Sequence, residues 1–182
     1  MKEKIVNWFK KYHTEIITIT LMVVLGTCMH FVTDIFDNEV VVKILGVIFP
    51  VNETSWEHMK MTWYPFLAAG IIISLLRKDR SYFGAFVLGG VLSIALLITG
   101  FAFYQSFTIH SVLAIDIPLF MIVIIACALF SFKMAKKEWA KKGFWYFVGL
   151  AVIVTAIIIT LTYVHGDGYL FQDNEALEDH HH

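Results

Sequence analysis

The stretch "PVNETSWEHMK", residues 50–60, carries two carboxylates, an imidazole, an indole and an ammonium group. Side chains of these types act as general bases, metal ligands and hydrogen-bond donors to substrates. We predict that Glu57 or Glu53 is a general base that takes a proton from water. We assign substrate binding to three further side chains of the same stretch, Asn52, Trp56 and Lys60.

Histidine and carboxylate side chains elsewhere in the sequence predict a metal site close to this stretch. His30 and Asp34 are four residues apart, so they share one helical face, as does Gly26, where another helix can approach closely. Asp116 lies inside an apolar segment, where an uncompensated carboxylate costs roughly 2.5–3.5 kcal/mol and is usually functional. We expect a pocket that binds Zn²⁺ through imidazole and carboxylate ligands, namely His30, His58, His110 and Asp116.

Each of these residues also has a purely structural interpretation. Glu57 follows Thr54 at the spacing of a capping box, in which both side chains only start a helix, and Asn52 is a competing N-cap. Lys60 can extend its ammonium group to the membrane interface, and Trp56 can belong to an interfacial aromatic belt. The histidines can form interfacial hydrogen bonds. These alternatives stay open at the level of the sequence.

The elements that position these side chains are membrane helices. The chain has 182 residues, of which 58% are hydrophobic and only 16% charged, so lipid must surround most of its surface. Its basic residues form small clusters beside apolar segments, which argues against a nucleic-acid partner. We predict an all-α membrane protein with one domain over residues 1–179 and five spans, at about 15–35, 61–77, 82–105, 111–132 and 143–164.

Two shorter segments need separate interpretations. Residues 39–49 are apolar but too short to cross a bilayer, and a lysine interrupts them, so we predict a re-entrant or interfacial helix. The final residues 180–182 are histidines that resemble the start of a purification tag, and we exclude them from the site.

The lysine and arginine residues predict the orientation of the bundle. Twelve of the 14 fall on one side of a five-span arrangement. The positive-inside rule assigns that side to the cytoplasm, so the N-terminus is expected inside and the C-terminus outside. Residues 50–60 and His110 then face the extracytoplasmic side.

The longer block "FPVNETSWEHMKMTWYP" resembles the signature of an uncharacterised family of small multi-pass bacterial membrane proteins. That signature reads Pro-(Val/Ile)-Asn-Glu-(Ser/Thr)-x-Trp-Glu-His-x-Lys and precedes an aromatic-proline span. The resemblance extends over most of the chain, including His30, His110 and the tail motif "LFQD". It implies a bacterial cell-membrane location and carries no activity, because none is assigned to the family.

Three functions remain as hypotheses. The first is a membrane-embedded, metal-dependent hydrolase acting at the outer leaflet, although HExxH and Gly-x-Ser-x-Gly are absent from the sequence. The second is a protein that binds or transports a small solute or a lipid headgroup, with Asp116 or a histidine carrying a proton. The third is an accessory protein whose polar cluster only fixes residues 39–49 to the bundle. The lipid bilayer is the expected partner, and the glycines of "FGAFVLGG" would also permit a homodimer.

Overall fold

A computed structural model describes residues 2–52, 54–108, 113–164 and 171. The regular elements of this described part are helical. In chain order the α-helices are α1 (Lys2–His30), α2 (Glu39–Leu45), α3 (His58–Arg77), α4 (Ser81–Thr108), α5 (Leu113–Met134), α6 (Glu138–Lys142) and α7 (Phe144–Tyr163). A short 3-10 helix, Thr33–Ile35, lies between α1 and α2.

Five of the described helices are long and apolar enough to cross a membrane: Tyr12–His30, His58–Arg77, Ser81–Thr108, Ala114–Met134 and Phe144–Tyr163. The predicted all-helical, five-span arrangement is therefore confirmed. The bounds differ in places. α1 ends at His30 instead of continuing to 35, and α3 begins three residues before the predicted start at 61. The side of the membrane on which each end lies stays a prediction.

Helices α3 and α4 form the centre of the bundle. Trp63 and Phe66 of α3 are fully buried, as are Phe86 and Leu97 of α4. α1 and α7 lie at the periphery, and their outward faces expose many large apolar side chains, for example Leu21 and Val152. A surface of this kind requires lipid as its solvent.

Gly26 lies at a close contact between α1 and α3. A β-carbon at Gly26 would lie only 2.6 Å from the carbonyl oxygen of Met61. In a regular helix that carbonyl would accept a bond from residue 65, but Pro65 has no N–H to give. The missing side chain of Gly26 therefore allows α1 to pack directly on an interrupted stretch of the α3 backbone.

Residues 31–57, which we call the connector, link α1 to α3 and include α2. The Asn38 side chain caps α2, because its Oδ1 accepts hydrogen bonds from Val40 N at 2.9 Å and Val41 N at 3.3 Å. Val40 and Ile44 lie four residues apart on one exposed face of α2. This apolar face is suited to lipid, as a re-entrant or interfacial helix requires, and the depth of residues 39–49 in the membrane stays a prediction.

The two ends of the bundle differ in composition. At the end beside the connector, which we call the connector end, α1 and α7 finish and α3 begins, as the contacts of His30 and Thr162 with residues 57–58 show. The opposite, basic end contains the turn between α3 and α4 and the short helix α6. There the Arg80 guanidinium lies 5.2 Å from the centre of the Phe144 ring.

Candidate functional site

Lys60 is completely buried at the connector end. Its Nζ donates to Glu57 Oε2 at 2.6 Å, to the Gly46 carbonyl at 2.6 Å and to the Phe49 carbonyl at 3.3 Å. These acceptors match the three donors of an ammonium group. Gly46 follows the last residue of α2, where free carbonyls favour a cation. Lys60 therefore holds the connector to α3, instead of reaching out to the membrane interface.

The Glu57 carboxylate is 2% exposed and connects three parts of the chain. Its Oε2 accepts from Lys60 and also from the backbone N–H of Val51 at 3.0 Å, whereas Oε1 accepts from Thr162 Oγ1 at 3.0 Å. Thr162 lies in the last turn of α7. A single buried carboxylate thus joins the connector, the start of α3 and the end of α7.

The turn before α3 only partly matches the predicted capping box. Thr54 Oγ1 accepts from Glu57 N at 3.3 Å, as predicted. The reciprocal bond is made by a different residue, because Asn52 Oδ1 accepts from Thr54 N at 3.1 Å. The capping role predicted for the Glu57 side chain is therefore wrong. Its carboxylate accepts instead from the Lys60 ammonium and from the Val51 N–H.

Several side-chain hydroxyl groups donate to other carbonyls of the connector. Thr33 Oγ1 donates to the Pro50 carbonyl at 2.6 Å. Tyr64 of α3 donates to the Val47 carbonyl, and Tyr163 of α7 donates to the Lys43 carbonyl. These bonds satisfy backbone groups that a non-helical segment near lipid would otherwise leave unpaired. The connector is therefore held by hydrogen bonds from α3 and α7 and by one bond within itself.

A polar cavity of about 200 Å³ lies beside this network. Its lining residues come from the connector, from α7 and from the segment after it: Asn52, Thr54, Trp56, Glu57, Leu161, Thr162 and Phe171. Trp56 is only 9% exposed, and its ring centre lies 5.8 Å from that of Phe171. The indole N–H of Trp56 has no hydrogen-bond partner in the part of the chain that the structure describes. An unpaired buried donor is costly, so it marks a place where a ligand would be stabilised.

His30 and His58 lie side by side, with ring centres 5.4 Å apart and planes inclined at 37°. Nδ1 of His58 lies 2.8 Å from the Thr54 carbonyl oxygen. Since a carbonyl only accepts, Nδ1 carries the proton, and Nε2 is the nitrogen suited to a metal. Two imidazoles on one tetrahedral Zn²⁺, with Zn–N bonds of about 2.0–2.1 Å, would place their ring centres roughly 5 Å apart.

Asp116 of α5 accepts a hydrogen bond from the Tyr104 hydroxyl of α4. The Tyr104 ring contacts Phe101, and the Phe101 ring contacts His58, with ring centres 6.1 Å apart in each case. Asp116 thus has a hydroxyl partner and lies two aromatic residues away from His58. Glu53 and His110 lie outside the described residues. The shared pocket of Glu57, His58, His110 and Asp116 stays a prediction.

Comparison with known proteins identifies a family. Residues 1–176 match a family of unknown function, DUF6512. This chain belongs to DUF6512. No curated protein and no solved structure matches the chain. The resemblance to an uncharacterised family is therefore confirmed at this level, while the signature itself and the bacterial origin remain predictions.

The zinc site predicted for this DUF6512 protein has two candidate ligands in contact. Among the residues that the structure describes, no group of three or more His, Cys, Asp and Glu side chains could hold a metal. His30 and His58 form a pair, and a further ligand would have to come from outside the described residues, where His110 lies. Zinc binding therefore stays a prediction.

Sequence reasoning missed the contribution of α7. Trp63 Nε1 donates to Thr155 Oγ1 at 3.0 Å, and Thr162 donates to Glu57. Thr155 and Thr162 are seven residues apart and so lie on one face of α7. Two threonines on one face of a mostly apolar span were the signal that this face of the DUF6512 protein meets polar groups.

Proposed function

We propose that this protein binds a small polar molecule or a lipid headgroup in the cavity at the connector end of its membrane bundle. The observation that carries the proposal is the buried indole N–H of Trp56, which has no partner among the described residues and lies in the wall of a cavity of about 200 Å³. That volume is below the roughly 300–1,000 Å³ of pockets that bind drug-sized ligands. The group that it accepts is therefore small.

The surrounding network supports binding because it fixes the cavity walls in advance. Glu57 and Thr162 line the cavity and are hydrogen-bonded to each other, and Lys60 holds Glu57 from the other side. A site whose side chains are already ordered loses less conformational entropy when a ligand binds. In this proposal Asn52 and Trp56 contact the ligand, whereas Lys60 has a positioning role because its three donors are already used.

The test compares two buried tryptophans. Trp56→Phe removes the unpaired N–H, whereas the control Trp63→Phe removes an N–H that is paired with Thr155 outside the cavity. We expect at least one compound from a panel of bacterial polar lipids, amino acids and phosphate esters to raise the melting temperature of the detergent-solubilised protein. The rise should persist in Trp63→Phe and shrink in Trp56→Phe. No rise with any compound, or an equal rise in both variants, would contradict the proposal.

A metal-dependent hydrolase is the second candidate, and the adjacent imidazoles of His30 and His58 favour it. In this alternative His110 supplies the further ligand, Asp116 orients a ligand without binding the metal, and Glu57 or Glu53 is the general base. The test is the zinc content of protein purified without its tag. We expect zinc close to one equivalent, lost in His58→Ala and retained in His13→Ala, which changes an exposed histidine of α1. Zinc-free protein after growth in zinc-supplemented medium would exclude this candidate.

A further inference from the structure

The cavity contains two hydrogen-bond donors that a ligand can use. Asn52 Oδ1 accepts from both Thr54 N at 3.1 Å and Thr54 Oγ1 at 2.7 Å. Its two lone pairs are therefore occupied, and the NH₂ group of the same amide is the part that can donate to a ligand. The Trp56 N–H is the second donor. Together they favour a ligand oxygen that accepts two hydrogen bonds.

Glu57 and the aromatic lining residues, in contrast, favour a ligand group that donates a hydrogen bond and carries a positive charge. Oε2 of Glu57 already accepts two hydrogen bonds, whereas Oε1 accepts one, from Thr162. A carboxylate oxygen has two lone pairs, so Oε1 can accept one more bond. Trp56 and Phe171 both line the cavity, and aromatic rings attract cations at their faces. A ligand ammonium group with an N–H would satisfy both features.

Charge limits the ligand further. The negative charge of Glu57, a lining residue, is balanced by the Lys60 ammonium 2.6 Å away behind the cavity wall, so the pair has no net charge. Burial of a ligand with net charge would add an uncompensated charge to a poorly solvated site. A group with one ammonium and one oxyanion, and hence no net charge, meets all three conditions.

An apolar groove beside the cavity indicates the source of this group. The groove has a volume of about 380 Å³ and is lined by Ala156, Ile157, Thr160 and Leu161 on α7. Leu161 also lines the polar cavity, so the two spaces share a wall. A molecule with its polar group in the cavity and an acyl chain along α7 would occupy both spaces. A free solute would leave the groove unused.

We propose that the cavity and the groove together bind an ethanolamine phospholipid. Its phosphate oxygens accept from Trp56 and Asn52, its ammonium donates to Glu57 Oε1, and one acyl chain lies against Ile157. This proposal rests on the ligand-binding function proposed above and adds the chemical class of the ligand.

The experiment uses the full chain in nanodiscs of phosphatidylcholine that contain a minor fraction of either phosphatidylethanolamine or phosphatidylglycerol. Native mass spectrometry measures which lipid stays bound. We expect phosphatidylethanolamine to be retained about tenfold over the other two lipids. The trimethylammonium of phosphatidylcholine cannot donate a hydrogen bond to Glu57, and phosphatidylglycerol has no ammonium and a net charge.

Two variants test the headgroup contacts. Loss of one hydrogen bond corresponds to a roughly two- to tenfold loss of affinity. Trp56→Phe should therefore reduce the amount of retained phosphatidylethanolamine by that factor, and Trp63→Phe should leave it unchanged. Asn52→Asp keeps the acceptor for Thr54 but replaces the donating NH₂ with a charged oxygen that repels the phosphate, and it should lower the retention of phosphatidylethanolamine by at least the same factor. Melting curves without added lipid establish that each variant is folded.

The other possible outcomes distinguish the ethanolamine phospholipid proposal from the broader proposal of ligand binding. Equal retention of all three lipids, still reduced by Trp56→Phe, would overturn the ethanolamine assignment and leave ligand binding in place. Displacement of the lipid by an equal concentration of soluble glycerophosphoethanolamine, which has the same neutral phosphodiester headgroup and no acyl chain, would overturn the contribution of the groove. Absence of any retained lipid, together with no stabilisation of the protein by the soluble compounds of the earlier panel, would remove both proposals.

Discussion

Two ion pairs at opposite ends of the molecule have similar chemistry and different surroundings. At the connector end Lys60 and Glu57 are 2.6 Å apart and are 0% and 2% exposed. At the basic end Lys142 and Glu138 are 2.9 Å apart and are 78% and 85% exposed. Both pairs join residues one helical turn apart. The difference in solvent, and not the distance, decides what each pair contributes.

The buried pair depends on its other partners. Removing two charges from water costs several kcal/mol per ion, and their attraction compensates only when the remaining hydrogen-bonding groups are also satisfied. Here they are satisfied by backbone groups of the connector and by Thr162. The exposed pair is screened by water and contributes at most a few tenths of a kcal/mol. The buried pair therefore links the connector to the bundle, whereas the exposed pair only joins two residues of α6.

The largest effect is expected when one member of the buried pair is removed. Lys60→Met leaves the Glu57 carboxylate buried without its cation, and the free energy of unfolding should fall by about 3–5 kcal/mol. The measurement is unfolding in mixed detergent micelles, followed by tryptophan fluorescence. A loss below about 1 kcal/mol would show that water or another group replaces the ammonium.

Removal of both charges should cost less than removal of one. In Glu57→Leu with Lys60→Met no charge remains buried, so about half or more of the stability lost by Lys60→Met alone should return. The same unfolding assay applied to both single variants and the double variant gives the coupling energy. Strictly additive losses would mean that the two side chains act independently, which would contradict their direct contact.

A smaller effect is expected at the α7 contact of the same network. Thr162→Val keeps the shape of the side chain and removes its hydrogen bond to Glu57, and should lower the free energy of unfolding by about 1–2 kcal/mol. Thr160→Val is the matched control, because Thr160 is exposed on the same helix. Equal losses for the two variants would imply a general effect of valine in α7.

The smallest effect is expected at the exposed pair. Lys142→Met should change the free energy of unfolding by less than about 0.5 kcal/mol, and added salt should abolish even that difference. If this variant is as destabilising as Lys60→Met, burial does not distinguish the two pairs.

The sequence was sufficient for the spans because hydropathy is a local property. Each of the five described spans is a run of apolar residues long enough to cross a bilayer, whatever it packs against. The close helix contact at Gly26 was also predictable, because the absence of a side chain permits such contact in any bundle. Local patterns of this kind do not depend on distant parts of the chain.

The candidate site was less predictable because its partners are distant in sequence. Glu57 and Thr162 are 105 residues apart, and Lys60 binds carbonyl groups, which every residue possesses. No spacing rule identifies such partners. The capping-box pattern at Thr54 and Glu57 failed for a related reason: the same spacing permits two conformations, and the buried ammonium selects the second. The roles of Glu53 and His110 remain predictions.

The contacts of Thr162 and Tyr163 also have a consequence for the order of assembly. The ribosome makes the connector and α3 before it makes α7, so Glu57 and the Lys43 carbonyl are synthesised before their α7 partners exist. Until α7 inserts, the nascent chain must protect these groups with water at the bilayer surface or with the insertion machinery. Insertion of α7 then supplies the missing donors. The connector is thus an early segment of the chain whose hydrogen bonds are completed only late in synthesis.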